Sequence, residues 1–230
     1  MVVYKILVVK VGLFGNIIGS RGKHVKTSLC KTTDRVKEEL DLMGSDQVTM
    51  EDIIEAQSRL KDISYKTSLV FTNTFSDLSK NQVYLKTENL QKTGSFKIRG
   101  AFNKINLLTE KEKTGGVIAS SAGNHAQGVA LAATNHGIEA TIVMPKHAPI
   151  SKVVATKNYG AKVILYGNSY DEAYVKAREI QAETKATFIH AFNDPDIIAG
   201  QGTIGLEILE DLPDVDVIIV PVGGGGLISG

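Results

Sequence analysis

The chain has 230 residues, 43% of them hydrophobic, with 26 Lys and Arg against 25 Asp and Glu, one Cys and no Trp. That composition excludes a disordered chain and a disulfide scaffold, and a net charge of +1 offers no basis for non-specific nucleic-acid binding. The length suits one large domain or two small ones, and the unpaired thiol of Cys30 fits a reducing, cytoplasmic compartment.

At the amino terminus, residues 1–33 carry six basic residues (Lys5, Lys10, Arg21, Lys23, Lys26, Lys31) and no acid. The longest apolar stretch, Ile6 to Ile18, is broken by Lys10 and falls short of the about 20 residues of a membrane-spanning helix, so no membrane helix is expected. Lys5 to Val11 reads as a strand. Gly12, Gly15 and Gly19 behind it miss the G-x-G-x-x-G spacing, and Gly22-Lys23 lacks the preceding Gly and following Ser or Thr of a phosphate loop. A basic, acid-free start also suits a transit peptide, but no Arg-rich amphipathic helix is present. The expectation for residues 1–48 is a non-catalytic appendage or a mis-assigned start.

From Thr49 the pattern becomes regular. Thr49 with Asp52 makes a capping-box-like start for a helix near 50–62. Short β-type runs then alternate with helix-length segments. The strands are Val83–Leu85, Val117–Ala119, Thr141–Val143, Val163–Leu165 and Val217–Val220, and the helices lie near 97–109, 124–136, 151–158, 169–184 and 200–211. Alternation with nearly uniform apolar strands predicts an α/β fold with a parallel sheet covered by helices on both faces. Ligands of such sheets bind where loops leave the carboxyl ends of the strands. The last strand leads into Gly223–Gly226 and then Leu227–Gly230, which reads as the first turn of a helix; the expectation is an amino-terminal fragment of a longer protein.

Three segments carry chemistry. Ser95-Phe96-Lys97-Ile98-Arg99-Gly100 opens a helix with Ser95 suited to the cap, and a lysine near a positive helix end has its neutral form favoured, as an amine that condenses with an aldehyde requires. Alone, the same pattern suits a solvated lysine. In Ser120-Ser121-Ala122-Gly123-Asn124-His125-Ala126-Gln127-Gly128, small residues admit a ligand to the backbone, amides and hydroxyls can hold a carboxylate, and Asn124 can bond an aromatic hydroxyl. His125 reads as a structural hydrogen-bonding residue, because no Cys, Asp or His stands at metal-ligand spacing from it. Finally, Gly223, Gly224, Gly225 and Gly226 between a strand and a helix start suit either a flexible linker or a phosphate cradle, and the strand Val217–Val222 ahead of them favours the cradle. An amine, a partner for an aromatic hydroxyl and a phosphate site at the strand ends of one parallel sheet are the groups that pyridoxal phosphate needs.

With Met144-Pro145, Ala199-Gly200-Gln201-Gly202-Thr203 and Val220-Pro221-Val222-Gly223-Gly224-Gly225-Gly226-Leu227, these segments closely resemble the threonine dehydratase (threonine ammonia-lyase) family, of the tryptophan-synthase-β-like class of pyridoxal-phosphate enzymes. The resemblance runs from about Thr49 to Gly230 and leaves out residues 1–48. It implies a two-domain fold, with 49–115 and 191–230 in an incomplete large cofactor-binding domain and 116–190 in a small α/β domain. Lys97 would hold the cofactor as an internal Schiff base and later take the substrate's α-proton. Phe96 would flank the ring, Asn124 would bond its phenolic oxygen, and Gly223–Gly226 with Leu227 would bind its phosphate. Ser120, Ser121, Ala122, Gly123, Asn124 and His125 would surround the substrate carboxylate. The implied reaction converts threonine to 2-oxobutanoate and ammonia, or serine to pyruvate and ammonia, in a homodimer or homotetramer.

Serine racemases resemble the segment around Lys97 but carry a second Ser where this chain has Ala122, so elimination is expected to dominate over racemisation. Cysteine synthases differ around the lysine and ahead of the Asn. By the same resemblance the partner of the pyridine nitrogen lies beyond Gly230, so these residues alone are not expected to complete the site. A non-catalytic product retaining the small domain is the competing reading, and a nucleotide-binding regulatory domain rests only on the amino-terminal glycines.

Overall fold

The computed structural model describes residues 6–10 and 47–230; Gly12 to Lys23, Cys30 and the expectations attached to them lie outside the described residues. Thr49 caps the first helix, α1 (Met50–Leu60), through the expected capping box: its hydroxyl accepts from the Asp52 amide while Asp52 accepts from the Thr49 amide. The helix stops two residues early, just ahead of Asp62 at φ 69°.

Two four-stranded sheets follow. The first contains β1 (Ile6–Lys10), β2 (Leu69–Phe71), β3 (Gln82–Lys86) and β8 (Val217–Ile219) in the order β2-β3-β1-β8. Every pairing in it is antiparallel, with Val8 opposite both Tyr84 and Ile218. This corrects the expectation of one parallel sheet: strands 83–85 and 217–220 do not pair with each other, and β1 lies between them running the opposite way. Local periodicity marks a strand, but the direction of its neighbour depends on which distant segment arrives beside it.

The second sheet is the parallel one, with β4 (Val117–Ser120), β5 (Ala140–Met144), β6 (Lys162–Leu165) and β7 (Thr187–Phe188) in the order β6-β5-β4-β7. Helices cover both of its faces, as expected. Ile118 and Val143 pack with Ala173 and Ala177 of α7 (Tyr170–Thr184). Val117, Ala119, Ile142 and Met144 belong to the main core with α3 (Lys97–Leu107) and α5 (Asn124–Asn135). The remaining helices are α2 (Asn73–Ser79), α4 (Glu110–Thr114), α6 (Ile150–Asn158) and α8 (Pro195–Asp211). None of the described helices is long and apolar enough to cross a membrane. Helix α8 begins five residues earlier than its hydrophobic pattern predicts, because Asp194 caps it and Pro195 takes a first-turn position that needs no N–H donor.

Glycines set how closely the helices cross. A Cβ on Gly200 of α8 would stand 2.6 Å from the Gly100 Cα of α3, and one on Gly128 of α5 would meet the Lys97 carbonyl at 3.0 Å. Beside this crossing the first sheet turns Ile6, Val8 and Tyr84 toward Phe96, Ile204 and Ile208. Its opposite face, with Leu7, Val9, Val217 and Ile219, borders a groove shared with Phe75 and Leu78 of α2.

A four-charge cluster is buried beneath α3. Arg99 makes a bidentate pair with Glu88, at 3.0 Å (Nε) and 2.9 Å (Nη2), and a second with Glu207, at 2.7 and 2.9 Å. Lys86 donates to Glu207 and to the Thr67 carbonyl, each at 2.6 Å. Burial works against the Arg99 charge, yet the two carboxylates outweigh it and raise its pKa above the ordinary value. With two cations on two anions the cluster is neutral as a set, and it ties α3 to α8 and β3. Arg99→Met would leave Glu88 without its cation and Glu207 with Lys86 alone; the expected loss is about 3–5 kcal/mol of unfolding free energy, read from urea denaturation.

Candidate functional site

Lys97 is the first residue of α3. The chain reaches it through a tight turn in which Thr93 takes φ 65° and Gly94 φ 72°. The cap expected at Ser95 sits one residue later, at Phe96, whose side chain makes no capping bond; the Ser95 hydroxyl still accepts from the Lys97 amide at 3.4 Å. The Lys97 ammonium donates to the Ala191 carbonyl at 2.8 Å and lies 5.1 Å from the centroid of the buried Phe96 ring. Burial, with no carboxylate among the described residues to offset it, lowers the Lys97 pKa to about 8. The lowered pKa anticipated from the helix end thus follows from desolvation.

At the carboxyl end of β4, the Ser120 hydroxyl is buried with no hydrogen-bond partner among the described residues. Ser121 donates its amide to Val143 and accepts from the Gly123 amide at 3.2 Å. Ala122, Gly123 and Asn124 are half-buried, and α5 starts at Asn124 with no side-chain cap, leaving first-turn N–H groups available to an anion. Asn124 Oδ1 accepts from the Lys152 ammonium of α6 at 2.9 Å.

His125 is fully buried, and burial drives its pKa down to about 4. Its Nε2 lies 3.0 Å from the Ile189 carbonyl. A carbonyl only accepts, so the proton sits on Nε2 and Nδ1 is left as an acceptor. The ring therefore anchors the loop, and what His125 can offer a carboxylate is its main-chain N–H. Among the described residues no group of three His, Cys, Asp or Glu side chains is placed to hold a metal.

The glycine loop folds against the segment that already receives Lys97. Gly225 takes φ +87°, a conformation open to glycine; a Cβ on Gly224 would strike the Phe192 ring at 2.4 Å, and one on Gly226 the Phe192 carbonyl at 2.7 Å. Gly223 faces open space. After the loop comes a single turn closed by the Ser229 amide on the Gly225 carbonyl at 3.0 Å, and Leu227 joins the apolar cluster around Phe96.

Residues 189–192 are thus the meeting point of the site: Ile189 receives His125, Ala191 receives Lys97, and Phe192 supports the glycines. Neither this segment nor Lys152 stands out in the sequence. Residues 189–192 contribute through carbonyls and a packed ring, which leave no trace in residue type, and Lys152 looks like any lysine in the first turn of a helix.

The chain is similar to several known proteins. Residues 60–230 match the family model described as pyridoxal-phosphate dependent enzyme. L-threonine ammonia-lyase of Thermotoga maritima is 63% identical over 183 residues, which is 80% of this chain and 46% of that protein. The catabolic L-threonine dehydratase TdcB of Escherichia coli is 55% identical over 183 residues, or 80% of this chain and 56% of that protein. Among solved structures, maize serine racemase superposes with a TM-score of 0.74 at 39% identity over 79% of this chain and 55% of its own. Threonine deaminase isoform 2 of Solanum lycopersicum, in its processed form, gives 0.68 at 37% identity over 79% of this chain and 52% of its own. The chain spans about half the length of the curated relatives it matches. It belongs to the family of pyridoxal-phosphate dependent enzymes.

Proposed function

We propose that this chain carries the lysine-bearing part of a threonine ammonia-lyase, which eliminates the β-hydroxyl of threonine to give 2-oxobutanoate and ammonia, and acts likewise on serine to give pyruvate. The observation that carries the reading is Lys97, a half-buried amine with a lowered pKa at a helix start, held by the segment that also supports the glycine loop. The residues fit pyridoxal phosphate. Gly223 leaves room where a side chain would stand, and the Ser120 hydroxyl is buried and unpartnered among the described residues.

When bound, pyridoxal phosphate supplies the sink for the electron pair released at the substrate's α-carbon. Lys97 would hold the cofactor's aldehyde carbon and would supply the base for the substrate's α-proton. Asn124 would donate to the phenolic oxygen, Phe96 would border the ring, and Gly223–Gly226 with Leu227 would bind the phosphate. Ser120, Ser121, Gly123 and the first-turn amides of Asn124 and His125 receive the carboxylate. Ala122 offers no hydroxyl on the face away from Lys97, which favours elimination over racemisation. The two sheets support a large domain of 49–115 with 191–230 and a small one of 116–190. The similarity to a relative named as catabolic supports a role in threonine breakdown. We place the protein in the cytoplasm as a homodimer or homotetramer, on the unpaired thiol of Cys30 and the family resemblance.

Incubation with pyridoxal phosphate followed by borohydride and peptide mapping is expected to mark Lys97, and Lys97→Ala to lose the mark. Absence of label on Lys97 in the unsubstituted protein overturns the reading in favour of a non-catalytic product. The pKa gives a second test. Between pH 8 and the ordinary lysine value of 10.5 the unfolded chain keeps a proton on Lys97 that the folded chain has lost, so folding stability rises with pH across that window. Relative to Lys97→Met, the unsubstituted protein is expected to gain up to about 3 kcal/mol between pH 7.5 and 10.5, read from urea denaturation.

A further inference from the structure

Lys152 lies in the first turn of α6 and reaches across to α5, the helix that follows the neighbouring strand of the parallel sheet. Its backbone is fixed at both ends: its amide donates to the Pro149 carbonyl at 2.8 Å, and its carbonyl accepts from the fully buried Thr156 hydroxyl at 2.8 Å. The side chain is half-buried, and it donates to Asn124 Oδ1 at 2.9 Å.

An ammonium has three donors and no acceptor, so only the oxygen end of an amide can meet it. That contact decides which way the Asn124 amide stands. With Oδ1 committed to Lys152, the two N–H donors of Nδ2 point away from α6. If the amide were turned over, an N–H group would face the ammonium and the oxygen would face whatever Asn124 is meant to donate to. The lysine also places a positive charge one amide away from that acceptor.

We propose that Lys152 is a positioning residue for the cofactor, locking the Asn124 amide so that its N–H donors face the phenolic oxygen while its charge favours the anionic state of that oxygen. The inference rests on the functional reading above, in which Asn124 is the partner of the phenolic oxygen. Among the described residues, the ionisable groups set around the chain neighbour of Asn124 are that neighbour, His125, with Lys97 and His190. Of these, Lys97 and His125 donate to carbonyls of the 189–192 segment and leave the Asn124 amide to Lys152.

The test uses Lys152→Met, which keeps the stem and removes the donor, and Lys152→Arg, which keeps a cation. In the cofactor-free chain the Asn124 side-chain amide resonances are expected to move in Lys152→Met while the backbone spectrum away from α5 and α6 stays in place. In protein loaded with pyridoxal phosphate, the midpoint of the pH titration of the visible absorption is expected to rise by about one unit in Lys152→Met, because a cation favouring the deprotonated chromophore is gone. Lys152→Arg is expected to recover part of both effects, which a purely structural role would not produce. Unmoved Asn124 resonances, or cofactor uptake on Lys97 with an unmoved midpoint, overturn the proposal alone. Failure of the unsubstituted protein to take cofactor on Lys97 overturns the functional reading and this proposal with it.

Discussion

The crossing of α3 with α8 and α5 is the constraint from which the site follows. Side chains normally keep helix axes 8–10 Å apart. Here Gly100 and Gly200 remove them from both helices at the same point, and Gly128 removes one where α5 passes the Lys97 backbone. Contact this close leaves α3 little freedom to rotate or slide, so the direction in which Lys97 leaves the helix is set by backbone packing. The buried cluster of Arg99, Glu88, Glu207 and Lys86 reinforces it two residues further along. Its geometry is demanding: the carboxylates are aligned on the guanidinium fork, and a displaced helix would strand charges in the core.

Around that pinned helix start the protein gathers loops from two sheets. The Ser120–Asn124 turn leaves the parallel sheet, the glycine loop leaves the last strand of the antiparallel sheet, and residues 189–192 touch His125 just after the turn, the glycines of the loop, and Lys97. Those residues take part mainly through carbonyl groups. A carbonyl neither titrates nor carries a full charge, so Ala191 can orient the Lys97 amine without an anion that would hold it protonated, and burial can depress its pKa. Lys66, paired with Glu210 and Asp211 at the surface, shows the contrast, with its pKa raised by carboxylate contact.

Much of the secondary structure was legible because its determinants are local. The capping box at Thr49 and Asp52 is a four-residue pattern, and the apolar strands of the parallel sheet are continuous runs. A second capping box, Thr109 with Glu112, has the same signature but opens a helix of only five residues, too short for hydrophobic periodicity to mark. Strands β2 and β7, of three and two residues, escaped for a similar reason. The early start of α8 was signalled by Asp194 and Pro195, a cap and first-turn pair that outranks the apolar pattern beginning later.

By itself the sequence singled out the candidate residues for the chemistry: a lysine at a helix start, a small polar turn ahead of Asn124 and a run of glycines after a strand. Each depends on residue types close together in the chain, where side-chain chemistry and backbone freedom act directly. Only the tertiary structure decided the rest. It set the antiparallel placement of β1 between β3 and β8, the desolvation of Lys97, the neutral His125 with its proton on Nε2, and the contact of Lys152 with Asn124. Strand direction, burial and hydrogen-bond partners are properties of neighbours brought from far along the chain, and local pattern carries no record of them.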